Sequence, residues 1–100
     1  MTVLQEIAKE RRRQQKIEGF DADHDDGHEQ GVLAKAAMAY CQSASTGLDD
    51  TTVLRRKPPT YWPWDVAWWK PSSCRRDLIK AAALIIAEIE HFDRIVDRRD

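Results

Sequence analysis

A chain of 100 residues is bounded to one domain with a modest core, since at that size less than about 70% of the surface exposed by the unfolded chain is buried on folding. Sixteen Lys and Arg against seventeen Asp and Glu leave a formal net charge of -1, which excludes a global field directed at long nucleic acid or an acidic membrane surface. The halves are unequal: residues 1–50 carry six basic and ten acidic side chains, and residues 51–100 carry ten and seven, so one can pair with the other or present a basic face to an anion.

Thr2 followed three residues later by Gln5 predicts a capping box, and the stretch to Glu18 is free of Gly and Pro, so a first helix is expected over 2–18. Its apolar stripe, Val3, Leu4, Ile7, Ala8 and Ile17, is thin. The run Arg11-Arg12-Arg13 is therefore expected to be solvated or paired with Glu10 or the acidic loop. Residues 19–28 read as that loop, because Asp and Gly favour turns and Asp21, Asp23, Asp25 and Asp26 repel one another. A second helix is expected over 29–46, with Asp26 as its best cap and Val32, Leu33, Ala36, Ala37, Tyr40, Cys41 and Ala44 on its buried face.

Residues 47–73 form a long loop holding all four prolines and all four tryptophans. Pro63 is placed to open a single turn over Asp65–Trp69, which would put Trp64 and Trp68 on one face and turn Trp62 and Trp69 elsewhere. Ser72 or Ser73 then caps a third helix over 74–97, with Asp77 in its first turn. Leu78, Ala82, Ile85, Ile89, Phe92 and Val96 step alternately by four and three residues, a heptad seam suited to self-association. Glu88, Glu90 and Asp93 read as the polar side of this helix, with Glu90 paired to Arg94, and His91 beside the seam. The fold class is all-α: three main helices with the Trp/Pro-rich loop packed over a helix pair.

Cys41 and Cys74 are too few and too far apart for a disulfide framework or a zinc site and are expected as reduced, buried thiols. Met1–Glu6 lacks a cationic leader, and the longest apolar run, residues 81–87, is too short to cross a bilayer, so a cytoplasmic protein with no membrane partner is expected.

Three groups of residues carry chemistry. Trp62, Trp64, Trp69, Lys70, Arg75 and Arg76 form the candidate ligand face, since an indole platform beside guanidinium groups suits a purine base and its phosphates. The same indoles suit closure of a small core equally well. Asp25, Asp26 and His28 offer donors for a divalent ion, or simply a solvated loop. Asp26-x-x-Glu29 and Glu90-x-x-Asp93 echo the split carboxylates with which MazG-like nucleotide pyrophosphohydrolases hold magnesium, so Mg is a cofactor only under that alternative. No catalytic residue and no other cofactor is expected.

Glu10-Arg11-Arg12-Arg13-Gln14, Glu18-Gly19-Phe20, Asp25-Asp26-x-His28, Trp62-Pro63-Trp64, Trp68-Trp69-Lys70-Pro71 and Arg75-Arg76-Asp77-Leu78 through Ala87-Glu88-Ile89-Glu90 together resemble a widespread family of small proteins of tailed phages and prophages. Gly31-Val32-Leu33-Ala34 departs from the Gly-Glu-Leu-Ala expected there. The resemblance implies an accessory role: sequestering an anionic nucleotide signal of host defence, or binding a host defence or replication protein.

Overall fold

A computed structural model describes residues 1–16, 31–47 and 57–99. Within them lie three α-helices, α1 (Val3–Lys16), α2 (Val32–Ala44) and α3 (Cys74–Arg99), a one-turn 3-10 helix at Val66–Trp68, and no strand. The protein is all-α. The helix α3 runs two residues beyond the expected end, and the ends expected for the first helix after Lys16 and for the second before Gly31 lie outside the described residues.

Local chemistry explains where the elements begin. The capping box of α1 is formed, Gln5 N–H donating to Thr2 Oγ1 at 3.1 Å and Thr2 N–H to Gln5 Oε1 at 2.8 Å. Ser73 caps α3, its Oγ accepting from Arg76 N–H at 3.1 Å, and the buried Asp77 carboxylate reaches back to Ser72 N–H at 2.8 Å. At the start of α2 the cap is Gly31, held at φ 90° with no side-chain cap of its own. Its N–H is taken by Glu88 of α3 at 2.9 Å, which also sets a negative charge at the positive end of the α2 dipole. Asp26, the expected cap, lies outside the described residues.

The core is the α2–α3 interface. Leu33, Ala36, Ala37, Ala39 and Tyr40 of α2 cluster with Ala81, Leu84 and Ala87 of α3, and the small side chains let the helices approach closely. Cys41 departs from expectation: it is exposed, and the buried face of α2 takes in Ala39 and Ser43 on its other edge, while Leu33, Ala36, Ala37, Tyr40 and Ala44 stay inside as expected. Cys74 is half-buried, and neither cysteine is in a disulfide.

Against α3 the first helix docks by its polar face, contrary to the apolar stripe read from the sequence. Val3, Leu4 and Ala8 are exposed and Ile7 half-buried, while Glu10, Arg11 and Gln14 are buried. Arg11 ion-pairs with Glu90 of α3 at 3.3 Å, so Glu90 faces α1. His91 is 5% exposed and so lies on the core side of α3, away from the seam where it was expected.

Candidate functional site

The tryptophan segment folds over the α2–α3 pair and divides differently from the expected single turn. Trp69 is buried and stacks on Tyr40 at 4.8 Å between ring centroids, Trp62 meets Tyr40 and Trp69 edge-on at 5.7 and 5.0 Å, and Trp64 meets Trp62 edge-on at 5.3 Å. Trp68 is left 48% exposed. The reason is backbone geometry: the turn spans only Val66–Trp68, with extended residues Asp65 and Trp69 on either side. Trp69 therefore leaves the turn toward the core instead of continuing a helical face. Asp65 holds the turn, accepting from Ala67 N–H at 2.8 Å, while its carbonyl accepts from Trp62 Nε1 at 3.2 Å.

Lys70 and Lys80 tie this layer to the helices. The Tyr40 hydroxyl lies 3.3 Å from Lys70 N–H, Lys80 Nζ donates to the Lys70 carbonyl at 2.7 Å and stands 5.5 Å above the Tyr40 ring, and Lys70 Nζ stands 5.4 Å from the Trp68 ring. Burial lowers the Lys80 pKa below 10.5, with Arg76 and Arg13 adding to that and Asp77 and Glu10 opposing it.

Beside the aromatic layer, α1 and α3 converge on a carboxylate. Glu10, 1% exposed, receives Arg13 Nε at 2.8 Å and Nη2 at 2.7 Å, Gln14 Nε2 at 3.0 Å, and Arg76 Nη2. Burial alone would raise its pKa; the hydrogen bond and charge of Arg13, the charge of Arg76 and the Gln14 amide outweigh it and hold the pKa below 4.5. One turn away Arg75 Nη1 meets Glu6 at 2.8 Å, and that hydrogen bond keeps the Glu6 pKa low as well. A groove of about 330 Å³ opens over this cluster, lined by Met1, Glu6, Lys9, Glu10, Arg13, Arg75 and Arg76. Four cationic side chains thus surround two carboxylates. Both glutamates fix their arginines while leaving net positive charge in the groove.

The aromatic layer and the groove meet at Arg13. It also lines a slot of about 10 Å³ together with Gln14, Tyr40, Trp62, Trp64, Trp68, Lys80 and Leu84. Gln14 donates through Nε2 to Glu10 and, at 3.4 Å, to the Lys80 carbonyl, which fixes its amide orientation and leaves its buried Oε1 without a hydrogen bond. A separate cleft of about 240 Å³ has Trp69 in its wall with Gln42, Ser43, Thr46, Lys57, Pro58 and Pro59.

Of the six ligand residues expected from the sequence, Arg75 and Arg76 line the groove, Trp62 and Trp64 the slot, and Trp69 the separate cleft, while Lys70 stands by Trp68. They do not share one cavity. Sequence reading missed Lys9 and Arg13 as groove residues and Glu10 as the carboxylate that holds Arg13 and Arg76; the only signal was the clustering of charge at Lys9–Arg13. Asp25, Asp26 and His28 lie outside the described residues, Asp93 is exposed and Glu90 is paired with Arg11. Among the described residues no three His, Cys, Asp or Glu side chains are grouped to hold a metal ion, and no helix is long and apolar enough to cross a membrane. No family model, curated protein or solved structure matches the chain.

Proposed function

We propose that this protein acts by binding an anionic nucleotide, in the manner of a phage or prophage accessory protein that sequesters a nucleotide signal of its host. The phosphates lie in the groove of Lys9, Arg13, Arg75 and Arg76, and the base lies against the exposed ring of Trp68. One observation carries this reading: Arg13 lines both the cationic groove and the aromatic slot, so phosphate donors and an indole face adjoin. Guanidinium groups bind phosphate through paired N–H donors, and stacking on an indole contributes about 1–3 kcal/mol per base. Arg76 spends only one terminal nitrogen on Glu10 and Arg75 one on Glu6, so each retains donors for a ligand. Trp69, consumed by its stack on Tyr40, supports the layer and does not touch the ligand.

Titrating nucleoside mono-, di- and triphosphates tests the reading through tryptophan fluorescence and thermal shift. Quenching and a raised Tm are expected for at least one of them, unaffected by a chelator. Arg75→Ala and Trp68→Ala are each expected to weaken binding about tenfold or more. Unchanged fluorescence and melting with every nucleotide would refute it, and co-purification of a host protein at this face would replace it with the inhibitor reading. Magnesium-dependent release of pyrophosphate, lost in Glu90→Gln, would replace it with hydrolysis.

A further inference from the structure

Among the described residues nothing covers the outer face of α3, which is apolar. Leu78, Ile85, Ile89 and Phe92 are 51, 45, 54 and 41% exposed, with Ala82 between them and Ile86 on the flank at 38%. These positions are the heptad seam, while the opposite side of the same helix carries the buried Asp77, Leu84, Ala87 and His91. We infer that the seam is covered by α3 of a second copy of this chain, packed antiparallel.

Three observations select that occupant. The first is spacing: alternation by four and three residues is the pattern by which a helix packs against an equivalent helix, each side chain entering a gap between four others, and a stripe built this way is complementary to itself. The second is area. The exposed seam presents roughly 400 Å² per chain, so covering two copies removes roughly 800 Å² of apolar surface, and the helix flanks bring the total toward the about 1,200 Å² at which specific interfaces begin.

The third is charge, and it sets the direction. Arg75 and Asp93 are eighteen residues apart, which at 3.6 residues per turn is five full turns, so they stand on the same flank of the seam at opposite ends, both exposed. In a parallel pair this flank faces the opposite flank of the second copy, so Arg75 and Asp93 of the two chains never meet. In an antiparallel pair the flanks face one another. Setting Leu78 against the second copy's Ile89 and Ala82 against its Ile85 then brings Arg75 beside its Phe92 and Asp93, and symmetry makes the contact twice. A two-fold axis crossing the seam at the level of residues 83 and 84 is the result.

The full chain tests this. Sedimentation or light scattering at tens of micromolar is expected to give twice the 11.6 kDa chain mass. Ile89→Glu is expected to return the mass to that of one chain with the helical circular dichroism intact, because the side chain is half exposed in the monomer, whereas Met38→Glu, at a 54% exposed apolar site on α2, leaves the dimer unchanged. Direction is read by oxidative cross-linking in a Cys41→Ser, Cys74→Ser background. A mixture of Leu78→Cys and Ile89→Cys chains is expected to cross-link and neither variant alone. A single-chain mass at 100 micromolar, a dimer that survives Ile89→Glu, or cross-linking of either variant with itself would overturn the inference. Arg75 borders both the seam and the groove, but none of these substitutions alters a groove residue, so the dimer and nucleotide binding are read by separate measurements.

Discussion

Glu10 is the residue on which the docking of α1 turns. A carboxylate 1% exposed is tolerated because two guanidinium groups and an amide surround it, and removing it strands those donors. Arg13 and Arg76 keep contact with water, with side chains 30 and 38% exposed, which moderates the loss. Glu10→Ala is therefore expected to destabilise the fold by about 3 kcal/mol in urea denaturation, against less than about 0.5 kcal/mol for Arg12→Ala two residues along, whose side chain is exposed. Gln14 carries a second prediction. Its buried Oε1 has no hydrogen bond, and it lines a slot of about 10 Å³, the size of one water. A high-resolution crystal structure is expected to show an ordered water there donating to Gln14 Oε1; an empty slot would mean that the fold bears an unsatisfied carbonyl.

At the scale of elements, the helix starts separate what a sequence can disclose from what it cannot. The Thr2–Gln5 box and the Ser73 cap are local, three residues from donor to acceptor, and both are legible. The start of α2 is not, because its N-terminal N–H is satisfied by Glu88, 57 residues away, and no local pattern encodes that. Gly31 itself sits at φ 90° with nothing within 4 Å of where a Cβ would stand, so Gly31→Ala meets no obstacle and its cost is conformational alone. A loss of about 1–2 kcal/mol is expected in thermal or urea unfolding, comparable to the roughly 1 kcal/mol expected of Ser73→Ala. The seam of α3 was legible for the same reason as the local caps: its periodicity lies within one helix, and the described residues expose Leu78, Ile85, Ile89 and Phe92 along it.

For the whole molecule, hydrophobic periodicity identified the α2–α3 core but misplaced α1, whose interface is made of ions. A stripe of apolar residues is the signal such reading relies on, and α1 buries Glu10, Arg11 and Gln14 while leaving Val3 and Leu4 in water. The candidate site was legible as composition, tryptophan beside arginine, and illegible as geometry, because which indole remained exposed depended on the backbone at Asp65 and Trp69.

That ionic interface makes stability a function of pH. The Glu10 pKa is lowered in the folded state from an ordinary 4.5, so the unfolded chain takes up a proton first as the solution is acidified. The stabilisation is complete above the unfolded pKa and is lost as pH falls through the folded one. Glu6, paired with Arg75, changes in the same direction. The urea midpoint is thus expected to vary little with these groups between pH 6 and pH 8 and to fall steadily below about pH 4.5. Glu10→Ala, already weakened at neutral pH, is expected to show a shallower acid limb than the parent chain. Lys80 works at the other end: burial lowers its pKa from 10.5, so its charged form costs the fold something at neutral pH and that cost is relieved in alkali. Parallel acid limbs for the parent and Glu10→Ala would show that the carboxylate is not what joins α1 to α3.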